Sequence, residues 1–310
     1  MVQRSILCGI FLLAAAGAIR AQQVPDLNYS PPVPRPAFKS GEGPRVAIDE
    51  AHFNFHTAEG NYKPFAEFLR RDGCRVGGLG EPFSAASLKA VDVLVIANAL
   101  NERNAEDWSL PTPSAFTPDE IVAVRAWVEK GGSLFLIADH MPFAGAAVEL
   151  ARAFGVEFSN GYARPGGREP AIPDIFENGT GLEECAVTRG RSDDEKVTKV
   201  ATFTGSAFKP PKDAIPVLVF GAGSKSFETK EAPGITPGAP EVPIEGWCQG
   251  AVMEVGKGRV AVFGEAAMFS AQLAGPQKMP IGMNSPDATQ NYQLLLNVIH
   301  WLTRAKGMPG

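Results

Sequence analysis

Thr117-Pro-Asp-Glu-Ile-Val-Ala-Val-Arg-Ala-Trp-Val-Glu-Lys-Gly-Gly-Ser-Leu-Phe-Leu-Ile-Ala-Asp-His140 decides the fold class. It opens as a helix start. Thr117 offers a hydroxyl to the free amides of the first turn, Pro118 presets the backbone, and Asp119 and Glu120 place negative charge at the positive end of the helix dipole. Ile121, Val124, Trp127 and Val128 recur at helical spacing until Gly131-Gly132 stops them. Ser133 to Ala138 is then an unbroken apolar run, the pattern of a strand buried on both faces. Asp139 and His140 stand at its C-terminal end. A helix feeding such a strand is half of a βαβ unit, and βαβ units build parallel sheets.

The same grammar extends in both directions. Val91 to Ala97 is a second doubly buried strand and ends at Asn98. Upstream, Arg45 to Ile48 is a short strand ending in Asp49-Glu50-Ala51-His52. Tyr62 to Arg71 carries Phe65, Phe68 and Leu69 at helical spacing, and Cys74 to Leu79 is a strand. Downstream, Gly145 to Phe154 reads as a helix and Ile215 to Phe220 as a strand. Gly250 to Val255 and Arg259 to Phe263 form a hairpin across Gly256-Lys257-Gly258, and a last helix runs from about Thr289 to Arg304. The expectation is an α/β three-layer sandwich with a mainly parallel central sheet, helices on both faces and a C-terminal β-hairpin. Residues 157–213 break the rhythm and read as an irregular insertion, with a short β element at Val197 to Phe203.

The N-terminus reads as a targeting segment. Arg4 precedes the apolar run Ile6 to Ile19, and Ile19-Arg20-Ala21 offers a cleavage site before Gln22. A run of about 14 residues is shorter than the roughly 20 a membrane helix needs. The expected organisation is therefore a signal peptide over 1–21, a flexible Pro-rich lead over 22–44 and a single domain over 45–305. The expected destination is the periplasm or the medium, with no membrane span after cleavage. A net charge of −5 and the lack of any Lys/Arg run argue against nucleic acid. Export permits disulfides. Of the cysteines that remain beyond Cys8, Cys185 and Cys248 are the better pair, with Cys74 left as a buried thiol.

In open parallel sheets, ligands bind at the C-terminal ends of the strands. Asp49, Glu50, His52, Asn98, Asp139, His140 and Glu265 all follow apolar runs. His52 and His56 lie four apart, a usable metal-ligand spacing on a helix, and His140 joins them as a third candidate ligand. With Asp139 and Glu265 adding oxygens, such a set suits a divalent transition metal: Zn²⁺, Mn²⁺ or Fe²⁺. Asp49, Glu50, Asp139, His140 and Glu265 are the candidate catalytic groups, since a buried carboxyl of raised pKa works as a general base or acid. Asn98 is the candidate ligand-binding residue. The competing reading makes His52 and His140 hydrogen-bonded turn residues, and makes Asp49 and Glu50 capping carboxylates. Met279 to Asn284 is a loop placed to fold over the crevice. Asp49-Glu50-Ala51-His52 spells a helicase box, but no G-x-x-x-x-G-K-[S/T] loop accompanies it.

Three stretches carry a family resemblance: Arg45-Val-Ala-Ile-Asp-Glu-Ala-His52, Phe116 to Gly132 leading into Leu134-Phe-Leu-Ile-Ala-Asp-His140, and Gly258-Arg-Val-Ala-Val-Phe-Gly-Glu265. In this order they resemble the class I glutamine amidotransferase-like superfamily. Within it they resemble an exported bacterial branch related to domains of gliding-motility and intraflagellar-transport proteins. The resemblance implies the fold and a site at the strand ends. It also implies a cysteine nucleophile in a Gly-flanked turn and a late His-x-Glu pair. Here the turn is Ala138-Asp139-His140-Met141-Pro142, and Gly264-Glu265-Ala266 keeps only the acid. A triad needs all its members, so glutaminase activity is not expected. Two readings remain: an exported, metal-assisted hydrolase acting on a small polar ligand, or a non-catalytic ligand-binding or scaffold domain of an envelope assembly.

Overall fold

The computed structural model describes residues 23–166 and 173–309. The expected signal peptide lies outside these residues. Seven strands form the centre of the molecule: β1 (Arg45–Asp49), β2 (Arg75–Leu79), β3 (Val93–Ala97), β4 (Ser133–Ile137), β5 (Ile215–Val219), β6 (Cys248–Val255) and β7 (Gly258–Phe263). Four helices accompany them: α1 (Lys63–Arg71), α2 (Pro118–Glu129), α3 (Phe143–Arg152) and α4 (Asn291–Leu302). In space the strands run β5-β6-β7-β4-β3-β1-β2. From β7 to β2 every neighbour is parallel. Among the described residues no helix is long and apolar enough to cross a membrane.

Strand alternation divides the core. Val93, Val95 and Ala97 of β3 pack in one cluster with Phe65 and Leu69 of α1 and Leu295 and Val298 of α4. Leu94 and Ile96 pack in the other with Val124 and Val128 of α2 and Leu150 of α3. Successive side chains of a strand point to opposite faces, so an unbroken apolar run is what two covered faces demand. Each such Leu, Ile or Phe contributes about 1.5–3 kcal/mol on burial.

The sheet is mixed, which differs from the mainly parallel expectation. The tight β6–β7 hairpin reverses the chain, and β5 then pairs antiparallel with β6. Residues expected to form an irregular insertion extend this antiparallel half. Lys199–Thr202 pairs antiparallel with Asp174–Asn178, and Gly181–Leu182 joins them to β5. A further small sheet is built from Tyr162–Arg164, Lys225–Phe227 and Glu241–Pro243.

The Pro-rich lead is tied to the body rather than loose. Gln23–Pro25 pairs with Ala271–Ala274, which pairs in turn with Met279–Gly282. The Ala37 amide donates to Asp72 Oδ1 at 2.8 Å. The loop expected to cover the crevice is thus the outer strand of a three-stranded sheet. The Cys185–Cys248 bridge is absent: Cys74, Cys185 and Cys248 are all free and buried. Cys185 belongs to one core cluster and Cys248 to the other. Burial pushes the Cys248 thiol up to about 12, so it is an inert apolar group.

Candidate functional site

Because β1, β3, β4 and β7 are parallel, their C-terminal ends share one edge. Asp49 ends β1, Asn98 follows β3, Asp139 and His140 follow β4, and Glu265 follows β7. The structure sorts these residues into a closed ionic knot and an open cavity.

The knot is His52. Its Nδ1 lies 2.8 Å from Asp49 Oδ1, and its Nε2 lies 2.9 Å from Glu120 Oε1. Phe83 and Phe116 cover the ring. Burial disfavours a charged imidazole, but hydrogen bonds and charge from Asp49, then Glu120, outweigh it and raise the pKa. Each ring nitrogen faces a carboxylate oxygen, so a protonated ring donates to both and neither nitrogen is open to a metal. Glu120 reaches His52 through a helix cap. Its Oε2 accepts the Thr117 amide while the Thr117 hydroxyl accepts the Glu120 amide, and its Oε1 also accepts the Phe83 amide. Burial works to raise the Glu120 pKa, yet the hydrogen bonds from Thr117, His52 and Phe83 hold it at about 2. Asn54 donates to Asp49 Oδ2 at 2.9 Å and completes the knot.

Glu50, one residue from Asp49, points away. It is exposed, and its Oε1 accepts the Ala58 amide at 2.8 Å. The structure does not bring it to the other candidates.

The cavity has a volume of about 480 Å³ and is lined by His56, Asn98, Asp139 and His140 together with Phe55, Trp108, Phe143 and Phe203. Asn98 adopts a φ of +51°, a left-handed conformation that asparagine tolerates, and its side-chain oxygen accepts the Asp139 amide at 2.9 Å. His140 donates from Nδ1 to the Met141 carbonyl at 2.7 Å and stacks on Tyr162 with ring centroids 4.1 Å apart. Burial lowers its pKa to about 4, so the ring is neutral and Nε2 keeps its lone pair. His56 is fully enclosed, tilted against Tyr62, and lowered to about 3 by burial.

Behind Asp139 stands Glu265, wholly buried, with its carboxylate on the Ala267 and Met268 amides at 3.0 and 2.7 Å. Gly264 lets the chain before it pack against Ser206, because a Cβ there would lie 2.3 Å from the Ser206 carbonyl oxygen. Burial raises the Glu265 pKa well above the carboxylate range, and the neighbouring Asp139 raises it further. Asp139 is itself pushed up to about 7 by burial, against the restraining hydrogen bonds from the His140 amide and Asn98. The charge of one carboxyl disfavours that of the other, so the two resist ionising together. The Tyr62 hydroxyl closes the far side by donating to the Ala266 carbonyl at 3.0 Å.

Among the described residues, no group of three or more His, Cys, Asp or Glu side chains is arranged to hold a metal ion. His52 is sealed in the knot, while His56 and His140 line the cavity as neutral rings. Sequence reasoning had no signal for Phe55, Phe143 or Gln272 as lining residues, since none sits in a periodic or motif context. Glu120 was visible as a capping residue, but its reach across to His52 was not.

Neither the protein-family models nor the curated proteins yield a match to this chain. Solved structures do. The mmIFT52 N-terminal domain aligns with a TM-score of 0.59 at 15% identity, over 84% of this chain and 98% of that one. Other similar structures are a ThuA-like protein from Bacteroides uniformis ATCC 8492 (TM-score 0.45, 16% identity, 88% and 94% of the two chains) and a GMP synthase-type protein from Thermoplasma acidophilum (0.44, 8%, 84% and 94%). At these identities the likeness to the mmIFT52 domain is one of fold, and one fold hosts many functions.

Proposed function

We propose that the cavity at the strand ends binds a small polar molecule and performs acid–base chemistry on it, with hydrolysis as the reaction. The observation that supports this most is Asp139. A carboxyl raised to about 7 stands on the wall of an aromatic-lined cavity, backed by a second buried acid. A base whose pKa matches the working pH is the most effective one. Asp139, ionised, takes a proton from the attacking water and later gives that proton to the leaving group, while Glu265 stays protonated throughout. His140 Nε2 accepts a hydrogen bond from the ligand and fixes its orientation. No metal-assisted step is assigned, because both ring nitrogens of His52 already face carboxylates.

The two core clusters support reading 45–305 as one three-layer α/β domain. The Arg4 to Ala21 pattern supports export to the periplasm or the medium. The test is a panel of small neutral glycosides, amides and esters, followed by Trp fluorescence and by product formation at pH 7. Turnover by the native protein and binding without turnover by Asp139→Asn are the expected results. Binding without turnover by both would leave the alternative, a non-catalytic ligand-binding domain of an envelope assembly. If no compound binds, the cavity reading falls.

A further inference from the structure

Far from the cavity, β2 is the last strand of the large sheet, and among the described residues no strand pairs with its outer side. The Arg75 amide donates to the Pro44 carbonyl, and the Leu79 carbonyl accepts the Glu50 amide, each at 2.9 Å. Residues 75 and 79 therefore turn their backbone groups inward to β1, and by alternation Val76 and Gly78 turn theirs outward. Arg70 donates to the Val76 carbonyl at 3.0 Å and occupies one of its two lone pairs. The Val76 amide and both backbone groups of Gly78 stay open, at a place where Gly77 and Gly78 are exposed. A row of open amides and carbonyls on a sheet edge is a template for a further strand.

The side chains leave room for one. A groove of about 510 Å³ runs along this edge and includes Ala47 and Gly77 in its lining. Neither Gly77 nor Gly80, just past the strand, has a positive φ, and a Cβ on either would meet nothing within 4 Å. Nothing within the protomer calls for glycine at these two positions, and glycine weakens a strand. Glycine in a strand often marks the close approach of another backbone.

Charge is divided along the same edge. Arg75 lies opposite Arg45 in the β1–β2 register, so two cations stand side by side at the start of the strand. Among the described residues neither forms an ion pair, and Arg75 Nε donates to the Gly43 carbonyl. Like charges placed directly across a sheet repel. Glu81, two residues past the strand, is exposed and also forms no ion pair among the described residues.

We propose that two copies of this chain meet at this edge, β2 adding antiparallel to β2 about a two-fold axis at Gly78. Gly78 then exchanges both backbone hydrogen bonds with Gly78 of the second copy. The Val76 amide donates to the Gly80 carbonyl across the axis, and Arg75 of each chain comes opposite Glu81 of the other. An acidic or a basic partner would answer only one end of the edge. An identical strand running the other way answers both, which is the self-complementarity that a two-fold interface requires.

Sedimentation velocity of the purified protein from about 1 to 500 µM tests this, a range that brackets small, transient interfaces. The native protein should pass from monomer to dimer within it. Arg75→Glu and Glu81→Arg should each weaken the dimer at least about tenfold, since each sets like charges against one another, and the double variant should restore it. Gly78→Pro should abolish the dimer by removing the central donor, at an outward-facing edge position where strands tolerate proline. Circular dichroism checks the fold of each variant, and the charge exchange decides the matter if Gly78→Pro does not fold. A native protein that stays monomeric throughout overturns the interface. A dimer that survives either single charge reversal, or that the double variant fails to restore, forms through another face and overturns it too.

Discussion

His52 follows β1 and His140 follows β4, on the same edge of the same parallel ladder, and both rings are largely withdrawn from water. His52 has a carboxylate at each nitrogen and a raised pKa. His140 has one carbonyl partner and is lowered to about 4. Burial alone drives any imidazole towards neutrality, so the number of carboxylate partners decides which state wins. The charged ring becomes a tie between β1 and the start of α2. The neutral ring keeps a lone pair for whatever enters the cavity. Residue type and position were the same in the two cases, and chemistry was set by the second element that each ring meets.

The largest effect should come from the knot. His52→Ala leaves Asp49 and Glu120 buried without their shared cation, and breaking a buried ionic pair in this way costs about 3–5 kcal/mol. Urea denaturation near pH 6 measures it. Because the folded pKa of His52 is raised, its contribution is complete below the unfolded value of about 6.5 and fades as pH rises through the folded value. A loss under about 1 kcal/mol would show that the two carboxylates are hydrated and that the contrast between the two histidines is overdrawn.

Substitution in the cavity should change stability in the opposite direction. Asp139 holds its proton to about 7 in the folded protein and to only about 3.9 in the unfolded chain. Its stabilising contribution is therefore present below about 4 and is lost as pH rises towards 7. Asp139→Asn should stabilise the protein by about 1–3 kcal/mol at pH 8, show little difference near pH 4, and abolish turnover. His56 and His140 act on the other flank: being lowered, they favour the folded state above about 6.5 and weaken it as pH falls towards 4 and 3. Thermal unfolding of native and Asp139→Asn protein across pH 4–8 resolves both flanks. A destabilised Asp139→Asn at pH 8 would break the comparison, because it would make Asp139 a structural anion like Asp49.

What the chain made legible follows from periodicity. Val93 to Ala97 and Ser133 to Ile137 read as doubly buried strands because both faces are covered, so the positions of Asn98, Asp139 and His140 followed directly. The β6–β7 hairpin was equally plain. Its consequence, that β5 joins antiparallel and the sheet continues beyond it, depends on pairings with Asp174–Asn178 and Lys199–Thr202, whose short mixed sequences carry no strong period. The aromatic wall was hidden for a similar reason. Phe55 and Trp108 come from loops, and only tertiary packing brings them to Phe143 of α3. The proposed Cys185–Cys248 pair failed because cysteine count says nothing about which face of a sheet each residue occupies.

The smallest predicted effect is at Glu50, and it tests the finest part of the contrast. Asp49 and Glu50 are adjacent, both acidic, and equally plausible as catalytic groups from sequence. Alternation at the end of a strand sends them to different faces, Asp49 into the knot and Glu50 into solvent. Glu50 makes one useful contact, its Oε1 with the Ala58 amide, and a glutamine carbonyl can make the same one. Glu50→Gln should therefore change stability by no more than about 0.5 kcal/mol, as surface substitutions usually do, and leave ligand binding untouched. Asp49→Asn, one position earlier, removes one of the two charges that hold His52 protonated and should lower the folded pKa of that ring. An NMR titration of the His52 ring in the two variants reads the difference directly. If Glu50→Gln moves that titration as far as Asp49→Asn does, the division between knot and solvent at this turn is wrong.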